Sequence, residues 1–390
     1  MMIPAVRTPG PLDVAVLVVA AVSVVIVAAT GPVSRLRWAA AAAAAAFWLT
    51  PVVSAMLHGQ ELPVTTAAMA AVAVALIIGP PRSGAAVRVA VVVGLLVVVV
   101  SLGFGLLSAT GIADGAFHSW GSYQRSVLGI PALKGIALHP NTLGQIAGTT
   151  LLILLTVATN ARPRWWFWIL PTLIVVTLLW TESRSSIGAT LAAVVALYGV
   201  RRWPRLRPWV VAGAGMAVIV PPLVLATVGQ VVDLSGLITG RQWPWFVAEA
   251  LFVQSPLTGY GPDAFSAAFW DQQGGTPPPW EPLHAHNEVL EAAAQAGLIG
   301  LLTLVAVIAA ALVPSFKRSG RAGALVTALV VMFGLLAGFE VVLGLTYFPA
   351  SYLVPTILVA VLSCSTLPRL PRVLCDSGAP AAGRQSTVIV

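Results

Sequence analysis

Five histidines are spread over 390 residues, and two of them fall in one short run, Leu283-His284-Ala285-His286-Asn287-Glu288. An imidazole at a wet boundary suits general acid–base work, because its ordinary pKa of about 6.5 lies close to neutral pH. The pattern His284-x-His286 followed by Glu288 also permits a metal site. No further His or Cys stands nearby to complete a zinc set. The plainer alternative is two hydrogen-bonded interfacial histidines. Glu288, Glu291 and Gln295 then follow at i, i+3 and i+7 and share one helical face. Gly297 and Gly300, on the same predicted helix, permit close packing.

Two arginines stand out by context. Arg184 lies in Thr181-Glu182-Ser183-Arg184-Ser185-Ser186, a tight turn between two apolar runs. Its planar guanidinium could present a fork to phosphate oxygens, or could pair with Glu182 as an interfacial anchor. Arg241 lies in Thr239-Gly240-Arg241-Gln242-Trp243-Pro244-Trp245, ahead of a stretch, 244–253, that reads as a short surface helix. A surface ion pair with Glu249 is its alternative role. His139-Pro140-Asn141-Thr142 is a further polar group, where Pro140 suits a helix start and Asn141 could cap it. Gly259-Tyr260-Gly261-Pro262-Asp263 is a turn by composition.

These groups need a scaffold, and composition says which. Hydrophobic residues make up 58% of the chain and charged residues 9%, against about 25% charged in soluble domains. So little polar cover requires lipid as the solvent. The formal charge of +8 forms no stripe on a polar domain, so nucleic acid is not expected as a partner. Cys364 and Cys375 fit neither a disulfide framework nor a metal set. Apolar runs of near-spanning length occur at 14–30, 38–57, 62–79, 89–108, 142–159, 165–181, 185–200, 208–229, 290–313, 322–340 and 350–367. The expected fold is therefore all-α, a polytopic transmembrane bundle of about eleven spans, with ten to twelve possible. Residues 1–375 form a single transmembrane domain, and a disordered cytoplasmic tail over 376–390 follows it.

Basic residues orient the bundle. Arg35, Arg37, Arg82, Arg88, Arg162, Arg164, Arg201, Arg202, Arg205, Arg207, Lys317, Arg318, Arg321, Arg369, Arg372 and Arg384 fall on one side, which the positive-inside rule makes cytoplasmic. The opposite side receives Arg7, Arg125, Lys134, Arg184 and Arg241. It also carries the large extracytoplasmic loop between spans 8 and 9, residues 230–287, and nearly all the acidic residues. Long ordered loops in compact folds are usually functional. The chemistry is expected on that face.

Taken together these motifs resemble the O-antigen ligase and O-antigen polymerase family of membrane glycosyltransferases. His286-Asn287, nine residues, then Gly297-Leu298-Ile299-Gly300 looks like the family's signature after its large loop. Gly240-Arg241 through Trp245, Pro256-Leu257-Thr258-Gly259-Tyr260-Gly261, Ser183-Arg184-Ser185-Ser186 and His139-Pro140-Asn141-Thr142-Leu143-Gly144 are similar to further family segments. The resemblance implies a protein of the bacterial inner membrane that moves a polyprenyl-diphosphate-linked glycan to a glycan or glycolipid acceptor. It implies His286 as the base activating the acceptor hydroxyl, with Arg184 and Arg241 holding the diphosphate. His139, Asn141, Trp245, Tyr260, His284, Asn287 and Glu288 are the implied substrate contacts. Membrane lipids are the surroundings, and neither metal nor cofactor is required. The family generally has twelve spans, one more than counted here. A transporter or flippase of lipid-linked sugars and a non-catalytic envelope-assembly partner are the competing readings.

Overall fold

The computed structural model describes residues 34–79, 85–110, 131–137, 139–158, 163–228, 241–266, 284–318, 320–343 and 353–363. The apolar run at 14–30, most of the 230–287 loop and the tail after 375 lie outside the described residues. Eleven helices are assigned there, and no strand: α1 Arg35–His58, α2 Val64–Ile78, α3 Ala85–Ala109, α4 Pro140–Ala158, α5 Ile169–Trp180, α6 Arg184–Arg202, α7 Arg207–Val228, α8 Gln242–Gln254, α9 Glu288–Lys317, α10 Gly320–Ala337 and α11 Leu353–Ser363. All but α8 coincide with an apolar run; α5 reaches the length of its run through a 3-10 turn at Trp165–Trp168. Among the described residues, five helices are long and apolar enough to cross a membrane: Arg35–His58, Val87–Ala109, Pro140–Ala158, Glu288–Leu312 and Gly320–Ala337.

Packing follows from residue size and from the need to satisfy every polar group away from water. Helix α4 is the central post. Its Gly144 and Gly148 let α6 approach so closely that an added Cβ would meet Ser186 and Thr190. The Thr149, Thr150 and Thr156 hydroxyls of α4 donate to carbonyls one turn back, so none needs water. Leu143, Ile146, Leu152 and Ile153 of α4 join Ala193 and Leu197 of α6 and Leu325, Leu329 and Met332 of α10 in one core. A second core gathers Phe47 and Trp48 of α1, Met69 of α2 and Leu304 of α9. Large apolar side chains cover the outside instead of charges, among them Val92 and Leu96 of α3, Leu191 and Val195 of α6, and Leu302 and Val305 of α9. Water would not tolerate such a surface; acyl chains would.

Helix α9 is broken. Gly297 has φ 61° and ψ −150°, so the helical ladder stops and restarts there. The segment 256–261 fills the gap with its own backbone. Leu298 and Ile299 donate to the carbonyls of Pro256 and Leu257, and Tyr260 and Gly261 donate to the carbonyls of Ala294 and Gln295. A Cβ on Gly297 would lie 2.5 Å from the Leu257 carbonyl carbon, and one on Gly259 would lie 2.3 Å from the Ala296 nitrogen. The two glycine motifs quoted above are thus halves of one backbone junction. The end of α1 clamps it: Ser54 donates to the Thr258 carbonyl, Gln60 to the Tyr260 carbonyl, and His58 bonds the Gly259 carbonyl and stacks on Tyr260.

Candidate active site

Four helices begin, and one ends, around a single carboxylate. Glu340 lies just past α10, with its backbone N–H still donating to the Leu336 carbonyl. Its Oε1 accepts from the Asn141 side-chain amide at 2.5 Å and from an Nη of Arg241. Its Oε2 faces Nδ1 of His286 at 3.3 Å. Only 4% of the Glu340 side chain is exposed, against 26% for His286, so the carboxylate is sealed while the imidazole stays reachable. Burial opposes ionisation of Glu340. His286, Arg241 and His284 more than offset it and hold the carboxyl well below the usual carboxylate range.

The His286 turn is built by its neighbours. Asn287 caps α9: its Oδ1 accepts from the backbone N–H groups of Val289 and Leu290, at 2.9 and 3.0 Å. Its amide group donates to the Gly338 carbonyl and, at 3.3 Å, to that of Val218, which ties the cap to α10 and α7. Glu291 accepts the Ala285 N–H and the Gln295 amide. Glu288 accepts the N–H groups of Val342 and Leu343, fixing the strand of chain that carries Glu340. His286 itself sits at φ 52°, in the left-handed region. That conformation costs a non-glycine residue roughly 1–2 kcal/mol, so the surrounding bonds must over-determine it. Glu182 is the other non-glycine residue at positive φ among those described, and it introduces Arg184.

Two histidines flank the centre in the same manner. The Asn141 N–H donates to Nδ1 of His139, and the His286 N–H donates to Nδ1 of His284. The His284 and His286 rings are 4.0 Å apart. Burial pushes the His139 imidazole below its ordinary value; Glu340 opposes the shift, and His286 and Arg241 add to it. His284 is held well below its ordinary value by burial first, then by His286.

His286, Arg241, Asn141, His139 and His284 thus converge. Asn141 is not a cap, as its type suggested: it is the second residue of α4 and reaches Glu340 instead. Arg241 pairs with Glu340 rather than with Glu249, which is exposed on α8. Arg184 opens α6, exposed, with no ion pair to a described residue. Its turn is fixed to the centre through Ser186, whose hydroxyl donates to the Asn141 carbonyl at 3.2 Å. Other expected contacts hold the site from behind. Trp245 is buried near the Phe339 ring, Asn287 and Glu288 are buried struts, and Tyr260 belongs to the α9 junction. No group of three or more His, Cys, Asp and Glu among the described residues could hold a metal ion. Glu340 was missed from sequence; a lone carboxylate closing an apolar run was its only signal.

An all-helical, multi-pass membrane protein with a polar centre at one end of its bundle is the class defined by this architecture. Residues 169–305, from the start of α5 into α9, match the family model described as O-antigen ligase. Over that segment the chain is O-antigen ligase-like. No curated protein matches the chain.

Proposed function

We propose that this protein transfers or polymerises a glycan carried on a polyprenyl diphosphate, at the extracytoplasmic face of the membrane, with His286 as general base. The observation that carries the proposal is the pairing of His286 Nδ1 with the sealed carboxylate of Glu340. A carboxylate accepts only, so Nδ1 carries a proton, and in the neutral imidazole that serves as the base Nε2 keeps its lone pair. Glu340 fixes the tautomer and stabilises the imidazolium once formed, as the carboxylate of a catalytic triad does, without taking the proton itself.

An acceptor sugar hydroxyl attacks the anomeric carbon of the donor while Nε2 of His286 removes its proton. The new C–O bond forms as the bond between that carbon and the diphosphate oxygen breaks, and the electron pair leaves with the diphosphate. Arg241 neutralises the growing charge from a position preset by Glu340, and Arg184 does so from the α6 start. The basic residues gathered at the other end of the bundle are what support placing this centre outside.

The test is transfer from a defined polyprenyl-diphosphate glycan by purified protein in nanodiscs. His286→Gln can still hydrogen-bond the acceptor but cannot take its proton, and should lower turnover by about 10²–10⁴-fold. Near-wild-type turnover by that variant would remove the base. Donor movement across the bilayer without new glycosidic bonds would favour a flippase instead.

A further inference from the structure

His139 and His284 are not accounted for by a single base, and their geometry is not that of spare bases. Each accepts a backbone N–H on Nδ1, from Asn141 at 3.2 Å and from His286 at 3.1 Å. A nitrogen that accepts a hydrogen bond carries no proton, so each ring is neutral with its hydrogen on Nε2. His286 has the opposite arrangement, with Nδ1 toward a carboxylate. The same two-residue turn, recurring at the starts of α4 and α9, therefore yields two N–H donors beside one lone-pair acceptor.

We infer that His139 and His284 are neutral N–H donors to the departing diphosphate, dividing the work with His286 by tautomer. This rests on the transfer chemistry proposed above. A neutral imidazole is a good donor to a developing oxyanion when it is kept from protonating, and a helix start favours that state. The surroundings supply the constraint. Arg241 at the start of α8 and His286 in the α9 turn oppose a positive charge on either ring, and His139 opposes one on His284, while Glu340 after α10 favours one. The buried setting outweighs Glu340. Each donor gives a hydrogen bond and keeps its proton, so the only proton transferred is the acceptor's, to His286. The leaving oxygen departs as an anion held by two N–H groups and the guanidiniums. This assigns the His139-Pro140-Asn141 turn, outside the family-matched segment, a direct part in the reaction.

The test uses full-length protein in nanodiscs with 15N-imidazole labelling, each signal assigned by loss in His139→Asn or His284→Asn. The expected solid-state spectra show bare Nδ1 and protonated Nε2 at both positions through neutral pH, with the Nε2 signals moving when inorganic pyrophosphate is added. An imidazolium or an Nδ1–H tautomer at neutral pH, or Nε2 signals blind to pyrophosphate, would overturn the inference. The asparagine variants keep an acceptor for the turn N–H, while their shorter side chain cannot place an N–H where that of Nε2 stood. Each should lower kcat by about 10²-fold, as loss of one oxyanion donor does, with KM and the melting temperature little changed. Wild-type kcat in both would also overturn it. If His286→Gln stays active while the tautomers and pyrophosphate response hold, the base assignment fails and the donors stand.

Discussion

The two ends of the bundle use arginine in opposite ways. At one end Arg37 donates to the carbonyls of Ile77 and Gly79 at the close of α2, Arg207 to the carbonyl of Arg318 at the close of α9, and Arg318 to the carbonyl of Val361 in α11. Helix C-termini leave carbonyls without partners, and cations there satisfy both the hydrogen bond and the dipole. At the other end α4, α6, α8 and α9 begin, and there Arg241 meets a buried carboxylate. N-termini supply N–H groups and favour anions. Glu340 holds that anionic place in the structure as it stands, and the proposed chemistry brings a diphosphate to the same neighbourhood. Cations at the first end finish helices; at the second they and the imidazoles are arranged for a negative charge.

Glu340→Gln should break the contrast most severely. The amide keeps the shape but cannot hold His286 in its tautomer, and kcat should fall by about 10³–10⁴-fold. Breaking a buried pair by removing one partner costs about 3–5 kcal/mol, so the variant should also melt earlier. A stability loss with kcat per folded molecule intact would reduce Glu340 to a strut. The pH dependence gives an independent check. The folded-state pKa of Glu340 is depressed, so its stabilisation is complete above the ordinary carboxylate value of about 4.3 and is lost as pH falls below it. Melting midpoints of the wild type should therefore drop on acidification below that value, and those of Glu340→Gln should drop less.

Gly297→Ala probes what holds the active end in register. Its φ of 61° disfavours any side chain, and the new Cβ would strike the Leu257 carbonyl. Backbone does not yield as a flexible side chain does. A loss on the order of 1–3 kcal/mol is expected, together with a lower yield of folded protein. A variant as stable as the wild type would mean that the junction is not fixed by the glycine. Arg37→Ala, at the opposite end, should have the smallest effect, about 1 kcal/mol of stability with transfer unchanged. A large catalytic defect there would erase the division between the ends.

Much of the scaffold could be read in one dimension. Apolar runs gave ten helices near their observed positions, because a span long enough for lipid must satisfy its backbone internally and has few alternatives. The short α8 showed in the spacing after Arg241, and His286-Asn287 carried its turn and cap locally. What sequence could not give is pairing across distance. Glu340 is 54 residues from His286, 99 from Arg241 and 199 from Asn141. Its place at the close of an apolar run does not say which of these groups it meets. The two glycine motifs could be matched to family segments, yet their meeting as one junction exists only because 256–261 folds into the break in α9. Residue types and their periodicity determined which segments are helices and which side chains could take or give a proton. Only the tertiary structure decided what each imidazole nitrogen faces, because those partners are brought there by packing, and the partner on one nitrogen sets the tautomer.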